Sequence, residues 1–386
     1  MARYTMSRTD GDVIVVGAGL IGLATAFELA QRGATVRVYD RGEPRRAASW
    51  AGAGMLAPYT EGARDDALLK LGAASLAQYP TFVERVHAAS GIDPRLHLEG
   101  IVHAAFDDAQ LGILREHAQA LARRGLEFDF LDRSSLLSVE PWLGSHVAGG
   151  LLVHGEGYVD NRRLGRALAA ACETRGVGVV HTSSIAVECD ERRVLGVRTD
   201  LGFTGARAVV NACGAWAAQL AGVPIKSIPP VQPIKGQMLA LAMPAGFVRH
   251  ATWVPGAYFV PRDDGRLLVG ATVESAGFDA RVTADAIHKL LAAALAGAPS
   301  LGGFAVSETW AGFRPASPDG RPVLGLTPIQ GLVLATGHYR NGILLAPATA
   351  RFVADLLEGR ATDELEPFLF ARFGTEESEP SRITCV

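Results

Sequence analysis

Residues 12–40 constrain the fold of this chain more than any other stretch. DVIVV is a short continuous apolar run, as expected of a strand covered on both faces. GAGLIG follows directly, and then LATAFELAQRG, in which Leu23, Phe27 and Ala30 recur at helical spacing until Gly33 stops the helix. TVRVYD reads as a second strand ending in Asp40. Strand, glycine-rich turn, helix, strand and terminal acid make the βαβ dinucleotide fingerprint in its proper context. Gly17 permits the tight turn, Gly19 lets a pyrophosphate approach the backbone, and Gly22 lets helix pack on strand. Leu20 and Ile21 open the helix whose N-terminus receives the phosphates. Asp40, with Arg41 beside it, would meet an adenosine ribose. A glycine-rich turn in some other doubly wound sheet is the competing reading, and the fingerprint does not separate FAD from NAD.

The chain has 386 residues, more than a usual single domain, so two domains are expected. Net charge is −3, which argues against a nucleic-acid partner, and no polybasic run suggests a membrane surface. The start, MARYTMSRTD, has no apolar core of a signal peptide. The most apolar stretch, IVVGAGLIGLATAFELA, carries Glu28 and falls short of the ~20 clean apolar residues of a membrane span. Cys172, Cys189, Cys213 and Cys385 form no CxxC pair or Cys/His cluster and read as buried hydrophobes or a tail thiol. A cytoplasmic protein is expected.

After Asp40 comes RGEPRRAASWAGAGMLAP, a loop of small residues with neither helical nor strand period. Ala48, Ser49, Ala53, Gly54 and Met55 leave room for a ligand against the backbone; a flexible surface loop is the bland alternative. Near the C-terminus stand WAGFRP and GHYRNGILLAPATA. ASWAGAGMLAP after a βαβ unit, followed in order by these two segments, resembles the glycine oxidase and D-amino-acid oxidase family of FAD-dependent amine oxidoreductases, nearest the type linked to thiamine synthesis. The resemblance runs from about residue 12 to 360.

It implies an α/β fold: a Rossmann-type FAD-binding domain (1–90, 151–224 and 315–386) and a second α+β substrate domain built on an antiparallel sheet (91–150 and 225–314). The residues themselves read compatibly. Residues 64–145 alternate amphipathic helical stretches with short links. GYVDNRRLGRALAAACETRG reads as a helix capped by Asp160 and ended by Gly176. Residues 225–313 read as tandem strands, VQPIKGQMLALAM, ATWVPGAYFVPR, RLLVGATVE and FAVSETWAGFRP. The tail ESEPSRITCV is expected to be disordered.

Arg314 stands among Trp310, Ala311, Gly312 and Phe313 and before Pro315, so it is not on a solvated charged face. A buried arginine needs an anion. Read from the residues alone, that anion is either a structural partner, with Asp319 the nearby candidate, or a substrate carboxylate that the guanidinium grips with two bonds. Tyr258 is either a core tyrosine or a hydroxyl facing substrate. The resemblance gives both to the substrate carboxylate and adds Arg340 as a second contact. It also implies a wall of Met55, Gly256 and Val273; the last two depart from a histidine and a methionine of the family pattern, which puts strict glycine preference in doubt. Ser184 falls where the family contacts adenine. His338, Tyr339, Arg340, Asn341, Gly342, Ile343 and Leu344 fall at the flavin. GILLAPATARFVADLLEG reads as a helix with Pro347 in its first turn, and the N–H groups of Gly342, Ile343 and Leu344 would face the flavin N1/C2=O edge.

The implied activity is non-covalent-FAD-dependent oxidative deamination of glycine or a small (D-)amino acid or N-methyl amine, with O2 reduced to H2O2. Hand-over of product to a thiazole synthase is also implied, and a homo-oligomer is compatible with the sequence. A flavin dehydrogenase passing electrons to a quinone, a nicotinamide dehydrogenase and a non-catalytic flavin protein are the other readings. No residue spacing suggests a metal or a nucleophilic triad.

Overall fold

The computed structural model describes residues 13–42, 47–61, 66–360 and 363–374. The start of the chain, Cys385 and the tail expected to be disordered lie outside these residues. The fingerprint folds as read: strand Val13–Val16, helix Leu20–Gln31 and strand Val36–Asp40. They belong to a six-stranded sheet in the order 323–326, 332–336, 208–211, 13–16, 36–40, 179–181. Every pairing in it is parallel except that of Val323–Leu326 with Leu332–Thr336. Helices Leu20–Gln31, Asn161–Glu173, Asp66–Ser90 and Ala346–Leu357 pack on one face around Phe27, Tyr79, Leu164 and Phe352. Gly17 has φ +108, and a Cβ on Gly22 would lie 1.8 Å from Gly17 O, so the turn closes only on glycine. Asp160 caps its helix as expected, accepting from Arg162 N and Arg163 N at 3.0 Å.

A second, eight-stranded sheet runs 305–316, 232–242, 266–270, 257–261, 251–254, 101–105, 149–153, 128–132. It is antiparallel apart from the parallel join of Ala251–Val254 to Ile101–Ala105. Four features of the chain were not legible. Strands Ile101–Ala105 and Phe128–Asp132 lie in a stretch read as helices and links, because two five-residue runs carry little period of their own. Helix Ala284–Gly297, capped by Thr283, interrupts the region read as strands only. The C-terminal helix begins at Ala346, not at Gly342; Pro347 stands in its first turn, but residues 342–345 form turns in which the carbonyls of Ile343 and Leu344 take side-chain donors from helix Asp66–Ser90.

Candidate active site

A cavity of about 1050 Å3 runs from the C-terminal ends of Val13–Val16 and Val36–Asp40 to the face of the second sheet. Crevices at strand C-termini are where open α/β sheets take dinucleotides. At one end it is lined by Gly17, Ala18, Gly19, Leu20, Ile21, Asp40 and Arg41. Asp40 closes on the fingerprint turn: Oδ2 accepts from Ala18 N and Oδ1 from Gly42 N, both at 2.7 Å. Ser49 Oγ accepts from Leu20 N at 2.9 Å, tying the small-residue loop to the helix N-terminus.

That segment, 47–54, read as a loop without helical period, in fact opens with the short helix Ala48–Ala51; it lies along the middle of the cavity, and the carbonyls of Ser49, Trp50, Ala51 and Ala53 are held by side-chain donors. Asn161 Nδ2 donates to Ser49 O (2.7 Å) and Trp50 O (3.2 Å), Trp310 Nε1 to Ala51 O (2.9 Å), and Arg262 Nη2 to Ala53 O (2.7 Å). Arg162 adds Nε to Trp50 O at 3.3 Å, its guanidinium 3.6 Å from the Trp50 ring centre. The turns at 342–345 repeat the device. Tyr79 Oη donates to Ile343 O at 2.5 Å and Ser75 Oγ to Leu344 O at 2.6 Å, both from helix Asp66–Ser90. With the carbonyls of Ile343 and Leu344 taken from this side, Gly342 and Ile343 line the cavity. Among the described residues no acceptor takes their N–H groups. Buried backbone donors without partners are uncommon and mark a place for an acceptor from a ligand. His338 beside them is buried, donates to or accepts from Thr349 Oγ1 at 3.0 Å, and is held neutral, its pKa pushed down by burial to about 3.

At the far end Arg314, Arg340, Tyr258 and Glu61 line the wall with Trp253, Met55 and Gly256. Arg314 Nη1 donates to Thr272 O at 3.0 Å and to Lys235 O at 3.4 Å. Among the described residues no carboxylate bonds it. The structural partner considered for it is spent elsewhere: Asp319 pairs with Arg372 at 2.7 Å. Glu274, two residues after Thr272, binds Gln237 at 2.8 Å and the buried Lys235 at 3.7 Å. The fork therefore faces the cavity with its charge uncompensated by a bonded acid. Burial pushes the Tyr258 hydroxyl above its ordinary value, so it stays a donor at neutral pH, with Arg314 pulling the other way. Burial is the largest single influence on Arg340 and works against its charge, but Glu61, Tyr339 and Tyr258 together outweigh it and raise the pKa. Burial also raises the Glu61 carboxyl, opposed by Arg340 and then Arg314.

Four residues singled out from the sequence do not line the cavity. Gly22 lies beneath the turn, as its packing role requires. Leu344 is buried against Gly72. Gly270 and Ala271 line the wall where Val273 was expected, and His181 and Ile185 line it where Ser184 was expected. The sequence reading missed Glu61, Asn161, Arg262, Trp310, Ser75 and Tyr79. Glu61 meets Arg340 and Arg314 only through the fold, and the other five each donate to a backbone carbonyl distant in sequence, so no local spacing marks any of them.

A dinucleotide turn continuous with a cationic, hydroxyl-bearing wall defines a redox enzyme that sets a nucleotide cofactor against a small anion. The close glycines, the paired free N–H groups and the volume suit a flavin dinucleotide. The chain belongs to the FAD dependent oxidoreductase family (DAO), whose model matches residues 12–356. Glycine oxidase of Pseudomonas putida is 38% identical over 94% of this chain and 98% of its own length. The bifunctional protein ThiO/ThiG of Synechocystis is 37% identical over 97% of this chain, which spans 56% of that longer protein. Crystalline glycine oxidase from Geobacillus kaustophilus superposes with a TM-score of 0.88 at 35% identity, covering 94% of this chain and 98% of that one. FAD is accordingly the cofactor. Among the described residues no helix is long and apolar enough to cross a membrane.

Proposed function

We propose that this chain oxidises glycine or another small amino acid or N-methyl amine to the imine and then the 2-oxo acid, with O2 reduced to H2O2. The single observation carrying this is the free guanidinium fork of Arg314, seated on two carbonyls and facing the cofactor cavity beside Arg340 and Tyr258. A planar fork recognises a carboxylate with two parallel bonds. In this reading Arg314 and Arg340 hold the carboxylate and Tyr258 donates to it, which turns the α-carbon towards the cofactor and fixes its approach. Bound FAD supplies the two-electron acceptor that no side chain can be. The N–H groups of Gly342 and Ile343 stand ready for negative charge on the cofactor edge. Neutral His338 adds no cation there. The amine enters unprotonated, and water hydrolyses the imine to the oxo acid and ammonia, or methylamine where the substrate is N-methylated.

Similarity to glycine oxidases and to ThiO/ThiG supports small substrates and a place in the thiazole branch of thiamine synthesis, in the cytoplasm, with product passed to a thiazole synthase. The test is an oxygen-uptake and peroxide assay over glycine, sarcosine, D-alanine, D-proline and L-amino acids, with and without an artificial acceptor. Peroxide formed with a small amine is expected. Turnover only with the acceptor would make the chain a dehydrogenase, and no turnover with any amine would overturn the reading.

A further inference from the structure

Arg262 is 4% exposed, and its guanidinium makes hydrogen bonds only to uncharged acceptors among the described residues. Nη2 donates to Ala53 O at 2.7 Å and to Asn161 Oδ1 at 2.9 Å, and Nη1 to Pro261 O at 3.2 Å. Asp160 lends favourable charge, but its Oδ1 is taken by the N–H groups of the helix it caps. Burying a cation without a bonded acid is costly, and here burial pulls the Arg262 pKa down to about 10. A methionine or leucine would fill such a site at less cost if packing were all it did.

What Arg262 joins explains why a cation stands there. It directly follows strand Ala257–Pro261, which carries Tyr258 on the cavity wall. Ala53, at its other end, belongs to the loop that lies along the cofactor cavity. Asn161 is the first residue of the helix that holds the same loop through Ser49 O and Trp50 O. Asn161 is itself 2% exposed, and both ends of its amide are engaged: Nδ2 donates to the loop and Oδ1 accepts from Arg262. One guanidinium thus bonds three elements, from the cofactor loop, the nucleotide-domain helix and the substrate sheet.

We propose that Arg262, with Asn161 as its shared acceptor, is a positioning residue that sets the register between the cofactor loop and the substrate-binding strand. Neither side chain touches substrate. Their effect is on the distance and angle between two binding surfaces that are otherwise joined by long stretches of chain. The inference rests on the reading of Tyr258 and Arg314 as the substrate wall. Misplacement by about 1 Å costs on the order of a hundredfold in rate while leaving each surface able to bind its own ligand.

The test uses FAD-loaded Arg262→Lys and Arg262→Met, with Asn161→Ala as a milder variant in case the arginine changes prevent folding. Anaerobic flavin reduction at saturating amino acid should slow by at least about tenfold in the arginine variants and about threefold in Asn161→Ala. KM and the acetate dissociation constant, read from flavin absorbance, should stay within about twofold. FAD should bind the apoproteins about tenfold more weakly, because Ala53 O loses its donor. Unchanged reduction rates, unchanged FAD affinity, or a slowing matched by equal loss of acetate binding would each overturn the proposal. Wild-type protein that oxidises no amine would overturn the amino-acid reading instead, and the FAD-affinity arm would still decide whether Arg262 holds the cofactor loop.

Discussion

Gly236→Ala is the sharpest test of the Arg314 seat, because it leaves the arginine in place. Strands Gln232–Ala242 and Ala305–Ala316 pair with Ile234 opposite Arg314 and Gly236 opposite Gly312. The guanidinium lies back across Gly236: a Cβ there would be 2.5 Å from Nη1, 2.6 Å from Nη2 and 2.7 Å from Cζ of Arg314. Such contacts cannot persist, so a methyl must push the fork off Thr272 O and Lys235 O. The displaced atoms are the end of a flexible side chain, so the backbone need not move, and stability should change by less than about 1 kcal/mol. Binding should change more. Hydrogen bonds to charged groups are worth about 1.5–3 kcal/mol each. Arg314→Ala, which removes both bonds to the carboxylate, sets a ceiling of about 3–6 kcal/mol. A displaced but still charged guanidinium keeps part of that, leaving a loss of about 2–3 kcal/mol, or roughly 30- to 150-fold in KM. Steady-state KM for the best amino acid and the acetate dissociation constant measure it, with FAD content and Tm as controls. A KM within about threefold of wild type, in folded and FAD-loaded enzyme, would refute the assignment of Arg314 as the carboxylate anchor.

Gly270→Ala probes Tyr258 in the same way. The two residues are paired across strands, and the added Cβ would lie 2.6 Å from the Tyr258 Cζ and hydroxyl. A fall in kcat/KM of about tenfold is expected, and unchanged steady-state kinetics would remove Tyr258 from the substrate wall. Glu156 predicts a pH effect. It is buried beneath the short helix Pro58–Glu61, accepting from Tyr59 N at 2.6 Å and Thr60 N at 3.1 Å. Burial raises its pKa to about 7, against the pull of those bonds. The folded state then holds the proton more tightly than the unfolded chain, so wild-type stability falls as pH climbs from the ordinary carboxylate value to about 7 and levels off above it. Glu156→Gln cannot titrate, and urea unfolding at pH 5 and pH 8 should show the difference moving in the variant's favour by roughly 3 kcal/mol. A pH-independent difference would refute this.

Legibility followed the range of the interactions. The fingerprint was readable because its parts act on neighbours: Gly17 and Gly22 meet across five residues, and Asp40 closes a single βαβ unit. The helix from Asp160 was readable because an N-cap and its apolar face lie within four turns. The start of the C-terminal helix was misplaced because Ser75 and Tyr79, more than 260 residues away, take the carbonyls of residues 343 and 344 and hold them in turns. Asp319 was a reasonable partner for Arg314 by proximity in sequence, but the final 3-10 turn brings Arg372 to it instead.

By itself the sequence marked a βαβ glycine turn fit for a dinucleotide and an arginine, Arg314, in apolar company, since those are matters of residue type and short spacing, while Tyr258 and Arg340 came in only through the family resemblance. Only the tertiary structure decided which charges are left free, which glycines make room for them, and how the two sheets are held in register. Those depend on where Glu274, Asp319, Gly236 and Arg262 arrive after folding, and hydrogen bonds between distant segments carry no period that a sequence can display.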